Sequence, residues 1–218
     1  MDDLTIYRTA SSPDPITPEN LAALVTSRLC HDLVSPLGAI GNGLELLELS
    51  GEFPGIGKSG EMLLIAESVA AARARVRWFR MAFGQAAPDQ RLSLAELGAL
   101  LADVEKSGRI RLRLEAEGDL PRIEARLILL GLMCLETALP WGGEVLVCRG
   151  ASGWRLVAQA SRTKPDPALW GWLDMAHAAQ LPAPNSSDVH FPLLAGFARA
   201  AGRSIGWELD ESGGEISF

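Results

Sequence analysis

The run His31-Asp32-Leu33-Val34-Ser35-Pro36-Leu37-Gly38 places an imidazole beside a carboxylate, a hydroxyl four residues after the imidazole, and then a proline. An imidazole is a nucleophile near neutral pH, and a carboxylate next to it can fix its tautomer and offset the positive charge that forms when the ring is substituted. The combination points to a histidine that carries a phosphoryl group. His31 is then nucleophile and acceptor through the ring nitrogen that faces outward. Asp32 is a candidate partner of the ring, and Ser35, one turn on, could orient the phosphoryl group or a partner side chain. A plain solvated acid and a hydroxyl that serves the helix beside Pro36 are the alternatives for these two.

A long helix must carry these groups. Thr17-Pro18-Glu19 is a start signal: threonine can cap free amides, proline at the first helical position loses no bond, and glutamate suits the positive helix end. The pattern runs to Ser50-Gly51. At about 100° per residue, Leu29, Leu33, Leu37, Ile40, Leu44 and Leu47 form one narrow apolar stripe, and His31 lies roughly 165° from its centre. His31 therefore points at solvent or at a partner. Ser27, Arg28, Ser35, Gly38 and Asn42 share its face, a shallow polar surface with one cation, and Arg28, Gly38 and Asn42 are candidate partner contacts. Pro36 removes a donor and should bend the helix near the histidine.

His31 to Leu37 resembles the H-box of sensor histidine kinases, and the continuation Gly38-Ala39-Ile40-Gly41-Asn42-Gly43-Leu44-Glu45-Leu46-Leu47 resembles the ChpT-like histidine phosphotransferases of alphaproteobacteria. The similarity extends over most of the chain beyond residue 17, strongly in the first helix and diffusely afterwards. It implies a kinase-like dimerisation domain fused to a nucleotide-binding domain that has lost its nucleotide. It also implies a relay, in which the phosphorylated receiver domain of a hybrid kinase donates to His31 and the receiver of a response regulator accepts from it. Any Mg²⁺ would come with the receiver, and this chain would hold no metal or cofactor of its own.

The composition agrees with two modest folded units: 218 residues, 48% hydrophobic and 22% charged. A net charge of −7 argues against nucleic acid as the main partner. With no apolar run of spanning length, and a start Met1-Asp2-Asp3 unlike a signal peptide, a cytoplasmic protein off the membrane is expected. Cys30, Cys134 and Cys148 have no metal-ligand spacing and read as buried thiols, while His177 and His190 read as structural.

Residues 1–16 read as a flexible tail and 17–86 as a helical hairpin. The second helix, about Ser59 to Phe83, packs antiparallel on the first through Leu63, Ala66, Val69, Ala70, Val76 and Phe83. Two helices alone have too little core, so a homodimeric four-helix bundle is expected. Arg73, Arg75, Arg77 and Arg80 read as a solvated basic face near a helix end. Steering of an acidic receiver is the secondary reading of these arginines, discounted because the hairpin should hold them near the end opposite His31. Gly84 to Arg91 reads as a linker.

Residues 92–218 alternate helix and strand. Helices are expected at Ser93 to Lys106, Arg122 to Leu139, Pro167 to Gln180 and Val189 to Ala201. Strands are expected at Arg109 to Glu115, Glu144 to Arg149, Trp154 to Ala160, Ser204 to Leu209 and Glu215 to Phe218. The fold class is α+β, with helices layered on one face of a mixed sheet. The order resembles the ATPase domain of histidine kinases, yet three nucleotide features of that family are missing. Leu129 to Glu136 has no asparagine for Mg²⁺, Gln159 to Thr163 has no Asp-x-Gly-x-Gly, and Pro184 to Phe191 replaces the glycine-rich phosphate loop. Triphosphate chemistry needs Mg²⁺ ligands and a phosphate-hugging backbone, whereas exchange with an aspartyl phosphate needs an exposed imidazole and a docking face. An ATP-dependent kinase with divergent boxes and a non-enzymatic dimeric adaptor or kinase inhibitor are the competing classes.

Overall fold

The computed structural model describes residues 18–51, 53–87, 89–150, 153–174, 181 and 183–218. The tail assigned to residues 1–16, the capping role of Thr17 and His177 lie outside them. Helix α1 spans Pro18–Leu49, runs through Pro36, and ends where the Ser50 amide donates to the Leu46 carbonyl at 2.9 Å and Gly51 turns left-handed. A 3-10 turn at Ile56–Lys58 leads to α2, Gly60–Phe83, whose Ser59 hydroxyl caps the Met62 amide at 3.2 Å.

The contact between α1 and α2 uses small residues. Ala23 and Cys30 are buried, and Thr26, Ser27, Leu37, Gly41 and Leu44 are half-buried. A Cβ on Gly41 would stand 3.0 Å from Arg73 Nη1, so the bare glycine lets that guanidinium lie across α1. The expected stripe divides here: Leu37 and Leu44 turn inward, while Leu29, Leu33, Ile40 and Leu47 stay exposed together with Leu21 and Val25. Helix α1 thus has two apolar faces roughly 90° apart, one for its own α2 and one left bare. Ser27, placed on the outer face by periodicity, instead accepts a hydrogen bond from the Gln85 amide at 3.3 Å.

The far half of α2 belongs to the carboxy-terminal core. Ala74, Trp78 and Ala82 are buried in one cluster with Leu97, Leu101, Leu127, Leu129 and Leu156. The expectation of a freely solvated basic face is corrected for two of its arginines: Arg75 Nη2 donates to Glu136 Oε1 at 2.8 Å and Arg77 Nη2 to Asp103 Oδ2 at 2.7 Å. The end of α2 is closed by side chains from α4, Arg122–Ala138. Arg122 donates to the Met81 and Arg80 carbonyls at 2.7 and 3.2 Å, and Arg126 donates to the Gly84 carbonyl. Four terminal carbonyls lack partners in any α-helix, and these guanidiniums supply donors and positive charge there. Burial, with Arg126 and then Arg80 nearby, lowers the Arg122 guanidinium to about 10, so it stays charged at neutral pH.

The linker is shorter than expected, because β1 begins at Arg91. Strands β1 (Arg91–Ser93) and β3 (Asp119–Pro121) form a two-stranded antiparallel sheet that three-residue patterns did not betray. Ser93 also opens α3, Leu94–Glu105, in a capping box with Glu96. The main sheet has strand order β2-β4-β5-β7-β6, from β2 (Ile110–Glu115), β4 (Gly143–Gly150), β5 (Gly153–Gln159), β6 (Gly206–Leu209) and β7 (Gly213–Ser217). Only the β2–β4 pair is parallel. Val145, Val147, Trp154, Leu156, Ala158 and Ile216 are buried, while Arg111, Arg113 and Arg155 are exposed on the other face, the alternation of a sheet covered on one side. Gly131 lets α4 lie close on β5, since a Cβ there would meet Leu156 Cδ2 at 3.1 Å.

The helix expected over Pro167 to Gln180 ends early: α5 is Pro167–Trp170, followed by a 3-10 turn at Gly171–Leu173. Trp170 and Leu173, three apart, are both buried, and the tighter turn serves that spacing. Residues 175–180 lie outside the described residues. Helix α6, His190–Ala200, buries Phe191, Leu194 and Ala198. Cys30 and Cys134 are buried free thiols, and Cys148 is half-buried rather than buried.

His190 is buried at the start of α6. The Thr137 hydroxyl donates to the Met133 carbonyl at 3.0 Å and stands 3.1 Å from His190 Nε2, which therefore donates to it. Burial lowers the proton affinity of this ring, with Asp188, Glu136 and the Ser187 main chain opposing. The unfolded chain then binds a proton that the folded chain refuses, so stability present above about pH 6.5 is lost as pH falls through that value towards the depressed folded pKa. Denaturant melts at pH 7.5 and 5.5 should show a loss in the wild type that His190→Gln reduces; equal losses in both would contradict it.

Candidate phosphoryl-acceptor site

Helix α1 presents His31 with its side chain 81% exposed. Its Nδ1 lies 3.2 Å from Asp32 Oδ1, and Asp32 Oδ2 accepts from Arg28 Nε at 2.9 Å. Neighbours in a helix diverge, but Arg28, one turn before Asp32, holds the carboxylate where its free oxygen reaches the ring. The bond to His31, more than the Arg28 charge, keeps the Asp32 carboxyl below its usual range. An ionised carboxylate only accepts, so Nδ1 carries the ring proton and Nε2 presents its lone pair outward. Arg28, Asp32 and His31 thus form one contiguous unit, in which Arg28 is paired with Asp32 while its side chain stays exposed.

Ser35 is exposed one turn from His31. Asn42 is exposed about 16 Å further along the axis than His31, by the rise of an α-helix. Gly38 is half-buried and faces a groove of ≈ 740 Å³ with Val34 and Leu37 of α1. The opposite walls of that groove come from Arg73 and Arg77 of α2 and from Asp103 and Lys106 at the end of α3. The α3 residues were not among the sequence candidates, since nothing local to them signals that α3 ends beside α1.

Among the described residues no group of three or more histidine, cysteine, aspartate or glutamate side chains could hold a metal ion. The α4 stretch Leu129 to Glu136, where kinases of the resembled type carry asparagines, has none here, and Leu129, Leu130, Leu132, Cys134 and Leu135 of it are buried in the core while Met133 is half-buried and Glu136 exposed. No described helix is long and apolar enough to cross a membrane.

Residues 94–213, more than half of the chain, match the family of the histidine phosphotransferase C-terminal domain. The chain belongs to the histidine phosphotransferase family. Protein phosphotransferase ChpT of Brucella abortus (strain 2308) is 34% identical over 139 residues, 63% of this chain and 64% of that relative, so the match spans less than two thirds of the relative's length. A solved structure described as a bacterial phosphotransferase shares 25% identity and a TM-score of 0.64, covering 94% of this chain and 98% of its own. A histidine kinase domain from the Erythrobacter litoralis EL346 blue-light activated histidine kinase is 15% identical with a TM-score of 0.45, over 70% of this chain and 80% of its own. The chain is similar to ChpT in sequence and to the bacterial phosphotransferase structure in fold. The family match begins at Leu94, so His31 lies outside it.

Proposed function

We propose that this chain is a cytoplasmic phosphorelay protein that takes a phosphoryl group from the aspartyl phosphate of one receiver domain onto His31 and passes it to the aspartate of another, without binding ATP. The observation that carries this reading is the exposed His31 ring, whose Nδ1 is engaged by Asp32 so that Nε2 is the free nucleophile. The Nε2 lone pair attacks phosphorus, the bond to the aspartyl oxygen breaks, and the carboxylate leaves with the electron pair. The ring is then an imidazolium-like cation whose Nδ1–H faces the Asp32 carboxylate, which offsets the new charge. The reverse step regenerates the neutral ring on the acceptor side. Mg²⁺ and the acidic pocket are supplied by the receiver.

The absence of asparagine from the α4 stretch Leu129 to Glu136 supports transfer without nucleotide, as does the anchoring of α2 in the carboxy-terminal core. A domain tied to its helix by Trp78 and Arg126 has little freedom to carry a nucleotide to His31. Incubation with a panel of labelled, ATP-free phosphorylated receiver domains tests the proposal. Acid-labile label on this chain is the expected result. A folded protein that takes no label from any receiver, or one labelled only from ATP, would contradict it.

The working form is a homodimer. Leu29 and Leu33 are more than half exposed in the single chain and continue the bare row through Ile40 and Leu47, with Leu63 and Leu64 exposed on α2. Such a row on a soluble monomer is a patch that a second copy can bury. Leu29→Glu/Leu33→Glu should shift light-scattering mass from dimer to monomer, or lower the unfolding midpoint if no folded monomer exists. An unchanged dimer would place the interface elsewhere.

A further inference from the structure

The hairpin brings the arginine-bearing end of α2 beside His31, not away from it. Ser27 meets the Gln85 amide, and Gly41 meets Arg73, which sets the antiparallel register between them. Arg80 follows Arg73 by seven residues, two turns along the same face of α2, and so falls level with residues 30–34 of α1. The Cys30 thiol, next in sequence to His31, feels the Arg80 charge. The reason for discounting a steering role for this arginine, its distance from His31, does not hold.

Arg80 is exposed and pairs with no carboxylate among the described residues. Arg122 and, next to it, Arg126 lie behind it, and among the described residues they meet main-chain carbonyls and the Phe197 ring. In a chain with twenty-seven acids against twenty basic residues, these three neighbouring guanidiniums have no carboxylate partner among the described residues. Arg28, the other cation near His31, is consumed by Asp32. A positive field beside a nucleophile that must meet an acidic, phosphoryl-bearing surface is complementary to it.

Resting on the phosphotransfer reading above, we propose that Arg80, backed by Arg122, is a docking cation that draws the acid-lined, phosphoryl-bearing pocket of the partner receiver onto His31. It is a positioning residue: it acts on encounter and orientation, and forms no bond to the transferred group. Transfer kinetics from one phosphorylated receiver, at several salt concentrations, test this in the wild-type chain and in Arg80→Glu and Arg80→Lys. Arg80→Glu should raise KM roughly ten- to hundred-fold with kcat little changed and should flatten the salt dependence, and Arg80→Lys should restore most of both. An unchanged KM and salt slope in Arg80→Glu would overturn the proposal while the wild type still takes label. An unlabelled wild type would instead overturn the phosphotransfer reading itself. If Arg80→Glu loses kcat and unfolding midpoint with the same salt slope as the wild type, the role is structural and the docking proposal fails.

Discussion

His31→Ala will take up no phosphoryl group from a phosphorylated receiver that labels the wild type, a loss of at least three orders of magnitude in transfer rate on the scale of removing a nucleophile. Asp32→Asn should fall between, slowed by roughly 10²–10⁴-fold. An amide can donate to Nδ1 as well as accept from it, so the ring is no longer held with its lone pair at Nε2. The site on the ring follows from the same bond. Phosphohistidine NMR of labelled wild type should show substitution at Nε2, since Nδ1 is engaged 3.2 Å from the carboxylate. Transfer that survives in His31→Ala would assign the chemistry to another residue and leave α1 as a dimerisation element.

Trp78→Ala should cost about 3–5 kcal/mol, the range for removing a large aromatic from a close-packed core. Trp78 is 2% exposed and sits where α2 enters the cluster formed by α3, α4 and the sheet. The loss should therefore appear in the whole molecule, as one cooperative transition at lower denaturant, with helical and aromatic signals moving together. Two separated transitions in the wild type would show that the hairpin and the carboxy-terminal domain unfold independently despite their shared core.

The helix that bears His31 was legible because its start, stop and outward histidine rest on local patterns: Pro18 at the first position, Ser50-Gly51 at the end, and a polar face at 100° spacing. The helices opened by Ser59 and Ser93 were legible for the same reason. What the pattern hid was tertiary. A single apolar stripe was read where α1 has two, because cysteine, alanine and glycine carry too little hydrophobic signal to mark the inner face. Arg75 and Arg77 looked solvated because Glu136 and Asp103 lie 61 and 26 residues away in sequence. Arg80 was placed far from His31 because the register of the hairpin, set by Ser27 against Gln85 and Gly41 against Arg73, leaves no trace in periodicity. The strands β1 and β3 were missed because three residues cannot display an alternation. The Arg28, Asp32, His31 unit needed side-chain geometry, since adjacency in a helix argues against contact.

The arginines that close α2 have a consequence for how such a protein can change over time. Arg122 and Arg126 come from the second half of the chain, yet they cap the helix that lines the first. On the phosphotransfer reading proposed above, a partner approaching His31 meets one frame in which the α3 end and the helical hairpin stand together beside the groove. On that reading, substitutions at Asp103 or Lys106 would alter the groove wall without touching the helix that bears His31. Part of the surface that a partner would meet is then inherited on a different stretch of sequence from His31, and selection can act on that part while holding the histidine constant.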